Sequence, residues 1–149
     1  MKKLLIFFLF IFFCGCGTVL FKNGKISNKK LVIKLDKISD YGKSYTKGSY
    51  SYKPKPGHKL ILIDDLVIYN NSNSVVEVNV RRILLAKGDM GIAPSIVLKS
   101  IFQPFAKYVY RIKPKDSIDI DLLYEWPKNS NPDFIIILGV GIIKIPPKP

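Results

Sequence analysis

Beyond residue 30 the chain repeatedly alternates apolar and polar residues with a period of two. Leu31, Ile33 and Leu35 fall on one face of an extended segment, with Lys34 and Asp36 on the other. That is the pattern of a half-buried strand. Val76, Val78 and Val80 alternate with Glu77, Asn79 and Arg81 in the same way. Ile118, Ile120, Leu122, Tyr124 and Trp126 alternate with Asp119, Asp121, Leu123 and Glu125. Ile83 to Ala86, Tyr108 to Ile112 and Phe134 to Ile145 read as further strands. The last is one closing strand whose glycines permit a kink or a close backbone approach. Turn-forming residues punctuate the pattern at Asn70 to Ser74, Lys87 to Gly91 and Lys113 to Asp116. Almost no segment carries a helical period. About seven to nine short strands at this spacing predict an all-β protein built as an antiparallel β-sandwich.

Three stretches break the alternation. Lys59 to Tyr69 (KLILIDDLVIY) is apolar on both faces, and the Asp64-Asp65 pair interrupts it. One extra residue there, a β-bulge, shifts which positions point inward. Adjacent carboxylates invite a metal or catalytic reading. Successive strand residues point to opposite faces, however, so the pair is not expected to converge on one ion. Ser39 to Lys55 is rich in Gly, Ser, Lys and Tyr and reads as a loop, with an edge strand near Ser49 to Lys53. Its tyrosines, Tyr41, Tyr45, Tyr50 and Tyr52, suit the apolar face of a sugar ring or, more simply, pad a sheet edge. Ile92 to Phe105 is apolar, is bracketed by Pro94 and Pro104, and contains Phe102 and Phe105. It either closes one end of the core or offers a docking surface.

The first sixteen residues, MKKLLIFFLFIFFCGC, form a separate pattern. Lys2 and Lys3 precede ten apolar residues, Leu4 to Phe13. That run is too short to cross a hydrocarbon core of roughly 30 Å as a helix, and it fits the apolar region of a signal peptide. Gly15-Cys16 then looks like a lipobox, with residues 1–15 removed and Cys16 becoming an acylated N-terminus. Phe13, in place of the usual Leu, departs from that pattern. Residues 16–30 follow as a lipidated start and flexible tether whose fourteen residues from Gly17 to Lys30 span about 20 Å as a coil, the alternative being a first short strand at the apolar patch Val19-Leu20-Phe21. The sandwich domain occupies 31–149.

The whole chain has 24 basic and 11 acidic side chains and a formal charge of +13. Removing Lys2 and Lys3 leaves 22 − 11 = +11. With Cys14 cleaved away and Cys16 acylated, no disulfide is available, so an apolar core must hold the domain. The basic excess permits attraction to anionic lipid or glycan, although its lysines are spread along the chain. Nucleic acid is not an expected partner at such a location.

The order of segments resembles the telokin-like, immunoglobulin-related domain of uncharacterised bacterial lipoproteins. The features that carry the resemblance are Gly57 to Asn70, Val75 to Val80, Gly88-Asp89-Met90-Gly91, and Lys113-Pro114-Lys115-Asp116 leading to Tyr124-Glu125-Trp126-Pro127. The family implies an immunoglobulin-like sandwich at the cell envelope, with no catalytic residues to carry over. Enzyme chemistry finds little else in the chain. His58 is the one histidine, no nucleophile elbow is present, and no zinc-ligand spacing occurs. Asp119 and Asp121 share a strand face and form the best carboxylate pair for a hydrolase. No cofactor or metal is expected. The reading is a lipid-anchored, non-catalytic interaction domain with a membrane contact and a protein or anionic glycan partner. The alternatives are a structural envelope component and a carboxylate-dependent hydrolase.

Overall fold

The computed structural model describes residues 17–99 and 107–147 of the protein. In chain order the strands are β1 (Thr18–Ser27), β2 (Leu31–Gly42), β3 (Tyr45–Lys47), β4 (Tyr50–Tyr52), β5 (His58–Asn70), β6 (Val76–Asn79), β7 (Ile83–Lys87), β8 (Met90–Ile92), β9 (Ile96–Leu98), β10 (Val109–Ile112), β11 (Ser117–Pro127), β12 (Phe134–Ile137) and β13 (Gly141–Lys144). A five-stranded antiparallel sheet has the order β1-β2-β5-β11-β9. A four-stranded sheet, β13-β12-β7-β8, and the β10-β6 pair share its core. The result is the all-β sandwich that the alternation predicts. It has more strands than expected because several three-residue strands leave no periodicity to read.

Three expectations are corrected. Residues 18–27 are not a flexible tether: they form β1, paired along its length with β2 from Thr18↔Asp40 to Ser27↔Val32. The sequence shows only its apolar start, Val19-Leu20-Phe21; of the positions that follow toward the core, Gly24 and Ile26, Gly24 offers no apolar side chain. A side chain at Gly24 would collide with Phe21 and Leu35. The closing strand is a hairpin. Gly139 and Gly141 take positive φ, and β12 turns back on β13 with Ile137 opposite Gly141. In the stretch 39–55 the expected strand near Ser49 to Lys53 is present as β4, but the rest is more ordered than a loop, since β2 runs on to Gly42 and β3 pairs with β4 from Tyr45↔Tyr52 to Lys47↔Tyr50.

The expected bulge is present. Against β11, Ile120 pairs with Leu66 and Leu122 with Ile63, so Asp64 and Asp65 together face Asp121. Asp65 takes the left-handed conformation at φ 49°, which Asp tolerates better than most residues. Before the bulge Ile61 and Ile63 face the sandwich core, and after it Leu66 and Ile68 do. Strand β2 changes phase at the same level, with Leu35 and then Ile38 in the core. The pairing of β2 with β5 therefore stays in step, Lys34↔Val67 and Lys37↔Asp64. The residues released to the outer side, Leu60 and Leu62, join Leu123, Leu98 and Tyr45 in a second, smaller cluster.

The core also ties its polar groups. Tyr124 donates its buried hydroxyl to the Ile83 carbonyl at 2.9 Å, linking the two layers. At the end of the sandwich away from Thr18, the Asn70 amide donates to the carbonyls of Ser74, Ile112 and Lys113, at 2.7, 3.0 and 3.1 Å. Its own oxygen accepts from Ser72, so a fully buried side chain is satisfied. The described part of Ile92 to Phe105 serves core closure. Strand β9 pairs with β11, Val97 enters the main core and Leu98 the smaller one. Phe102 and Phe105 lie outside the described residues.

The bulge yields a test by substitution. Asp65→Asn, which keeps a residue suited to positive φ, should leave urea stability unchanged or slightly higher. Asp65→Val, a β-branched residue at the same φ, should cost about 1–2 kcal/mol. Deleting Asp65 leaves Ile61, Ile63, Leu66 and Ile68 in one regular alternation, but it removes the N–H that Asp121 accepts and leaves β2, which keeps its change of phase between Leu35 and Ile38, one residue too long opposite β5. It should lower the urea midpoint more than Asp65→Val does.

Candidate functional site

The β3-β4 hairpin folds over the outer face of the five-stranded sheet. Tyr45 is buried against Leu60, Leu62, Leu98 and Leu123, with Tyr41 and Tyr52 half-buried beside it. Tyr41 meets Tyr45 edge-on at 4.8 Å between ring centroids, and Tyr45 stacks with Tyr52 at 6.2 Å. Three of the four sequence-selected tyrosines are thus brought together, and they act as padding for the sheet. Tyr50, 41% exposed, points further out. Burial first, and the nearby Asp121 carboxylate second, push the Tyr45 hydroxyl well above the usual tyrosine range.

Beside the hairpin lies a charged cluster that the sequence reading assembled only in part. Carboxylate oxygens of Asp64, Asp65 and Asp121 lie within 4.8 Å of one another. The expectation that adjacent Asp64 and Asp65 cannot converge is corrected, because the bulge turns both toward Asp121. Asp121 is 5% exposed and accepts the Asp65 backbone N–H at 3.0 Å. The Lys47 ammonium, brought in by β3, closes on its other oxygen. Lys37 pairs with Asp64 at 2.9 Å. Asp119, the expected partner of Asp121, stays exposed on the same face.

The electrostatics follow from three carboxylates shared by two ammoniums. The hydrogen bond and charge of Asp64 hold the Lys37 pKa above the usual 10.5. Burial, then Asp64 and Asp121, push the Asp65 carboxyl up. Burial and Asp121 do the same to Asp119, with Lys47 opposing. Oxygen donors of this kind suit a hard cation. Here Lys37 and Lys47 already supply much of the countercharge, and each oxygen of the buried Asp121 carries a hydrogen bond, one from the Asp65 N–H and one from Lys47. The arrangement is a charge-paired clamp joining β2, β3, β5 and β11.

A second feature went unnoticed in the sequence. Where β1 begins and β11 ends, a polar cleft of about 580 Å³ is lined by Leu20, Lys59, Lys87, Lys128, residues 129–133 and residues 145–147. Lys59 is 8% exposed; its ammonium contacts Asp40 at 2.7 Å and the Asn131 side-chain oxygen at 2.6 Å. Lys87 reaches the Asn131 carbonyl at 3.4 Å and Asp133 at 3.9 Å. Ser130, on the wall, accepts the Trp126 indole N–H at 3.1 Å. One signal was available: Lys59 has the inward parity of Ile61 and Ile63, an odd place for a lysine unless an end of the core is polar. Cys16 lies outside the described residues. His58, at the same end, has its Nδ1 3.0 Å from the Pro56 carbonyl.

Two solved structures are similar to this chain. One is an uncharacterised β-sandwich protein from Clostridium difficile 630, with a TM-score of 0.56 at 15% identity over 88% of this chain and 95% of that one. The other is a conserved hypothetical protein from Bacillus anthracis, with a TM-score of 0.51 at 12% identity over 83% of this chain and 99% of that one. No family model and no curated protein matches the sequence. The likeness establishes the β-sandwich fold.

The clamp can be dissected by a double-mutant cycle. Lys47→Met leaves Asp121 buried without its cation and should cost about 2–3 kcal/mol in urea unfolding. Asp121→Asn in that background should recover part of the loss, because an amide oxygen can still accept the Asp65 N–H. Additive single effects would show that the two side chains do not interact. The Lys37–Asp64 pair has a pH signature. A lysine raised in the folded state contributes stability that is complete below 10.5 and fades as pH climbs through the folded value. Lys37→Met should remove that alkaline component from the stability profile and leave the acid limb in place.

Proposed function

We propose that the chain is a lipid-anchored protein of the bacterial cell envelope. Its sandwich is a non-catalytic interaction domain of the telokin-like, immunoglobulin-related kind. The observation that carries the reading is the Lys2-Lys3, Leu4–Phe13, Gly15-Cys16 series standing directly before a domain that contains no cysteine. Such a domain needs no disulfide, since two apolar clusters hold it. The non-catalytic reading is supported by the closure of the best carboxylate site with lysines. The two fatty chains of a diacylglyceryl group on the Cys16 thiol, with a third on its amine, would make a durable anchor, because each buried methylene contributes about 0.8 kcal/mol.

The test is mass spectrometry of the N-terminal peptide from membranes of the native organism. A peptide starting at Cys16 with the added mass of a diacylglyceryl group is expected, and Cys16→Ala should remain uncleaved. A mature chain that starts elsewhere, unmodified and in the soluble fraction, would overturn the anchor.

A further inference from the structure

We propose that the lysine-lined cleft at the β1 end of the sandwich seats the phosphate of an anionic phospholipid headgroup, so that this end of the domain lies against the bilayer. The proposal rests on the anchor reading above and adds to it an orientation and a ligand. It starts from the discovery that the expected tether is a strand. Thr18 is already paired with Asp40, and Gly17 packs so closely on the Tyr41 ring that an added Cβ would sit 2.9 Å from it. Two residues of extended chain span at most about 7 Å. An acylated Cys16 therefore holds the Thr18 end of the sandwich at the headgroups, not on a long leash.

The cleft is at that same end. Asp40, opposite Thr18 in the sheet, holds the Lys59 ammonium, and Leu20 of β1 forms part of the wall. Lys59, Lys87 and Lys128 converge there from β5, β7 and the loop after β11, beside two carboxylates, Asp40 on Lys59 and Asp133 near Lys87, which leaves one positive charge in excess. Ser130 and Asn131 add polar groups of the kind that bind phosphate oxygens. Concave walls concentrate the field of such lysines. An anionic membrane surface acts over a Debye length of about 8–10 Å, which covers the distance left by the short connection. A free phosphate could use the same donors, but nothing would then bring it to the end of the molecule that bears the anchor. The far end is roughly 30 Å away along the ten residues of β1, and its Lys29 and Lys30 serve as internal controls.

The experiment is amine labelling of the purified, acylated protein, read by peptide mass spectrometry. It is run in vesicles of phosphatidylcholine alone and in vesicles that also contain phosphatidylglycerol. Lys87 and Lys128 should label about five-fold more slowly on the anionic vesicles, the factor expected for one basic side chain held at such a surface. Lys29 and Lys30 should label equally on both, and added salt should erase the difference. Equal labelling of Lys87 and Lys128 on the two vesicles would overturn the proposal. So would the same protection by inorganic phosphate in uncharged detergent, which would assign the cleft to a free anion. The N-terminal peptide mass reports the anchor separately. If Cys16 proves unmodified, the anchor reading fails, and labelling with vesicles added from solution still decides the cleft by the same two outcomes.

Discussion

One surplus residue in β5 governs the rest of the molecule. Asp121 of β11 faces both Asp64 and Asp65 and accepts the Asp65 N–H, and Asp65 takes a left-handed backbone to make this fit. A thirteen-residue strand without such a step would keep one set of side chains inward throughout. With the step, Ile61 and Ile63 share the main core with Leu66 and Ile68, and Leu60 and Leu62 are free to build a cluster on the outer side. That outer cluster is what the tyrosine hairpin covers. The hairpin in turn delivers Lys47 to Asp121, so part of the charge that the bulge concentrates is offset by the element that the bulge makes room for. The fully apolar character of this stretch is therefore the mark of a strand covered on both sides over half its length.

Much of this could be read from the residues. Period-two alternation located β2, β6, β7, β10 and β11, and an aspartate pair inside an apolar run marked the bulge. What the alternation could not show was compensation by neighbours. Strand β1 was legible only as a short strand at Val19-Leu20-Phe21, the second choice there, because Gly24 occupies a core-facing position where the opposing Leu35 leaves no room for a side chain. The β12-β13 hairpin escaped because Ile-rich strands flank a turn only three residues long, Leu138-Gly139-Val140, and a run of isoleucines hides such a break. Convergence of Asp64 with Asp65 was denied by the rule that neighbours on a strand point apart. That rule fails at the one site where the backbone leaves the strand conformation. The cleft was hidden for a different reason: Lys59, Lys87 and Lys128 are far apart in sequence and meet only through sheet order.

Basic charge is spread over the chain, yet the fold sorts it into distinct settings. Lys37 and Lys47 are spent inside the outer-face clamp. Lys59 is held by Asp40 at the floor of the cleft, while Lys87 and Lys128 stand at its rim. The strand that begins directly after Gly17 bears on the proposed anchor. A coil there would separate domain from membrane, whereas with β1 in place acylation at Cys16, as proposed, would tie the orientation of the sandwich to its sheet.

The central claim is that Asp121 faces two residues of β5 at once, and nuclear Overhauser contacts across β5 and β11 test it most directly. Contacts from the Asp121 region to the amides of both Asp64 and Asp65 are expected, together with a main core that holds the methyl groups of Ile63 and of Leu66. An uninterrupted ladder, with Asp121 opposite a single residue and Leu66 on the side of Leu62, would contradict the account.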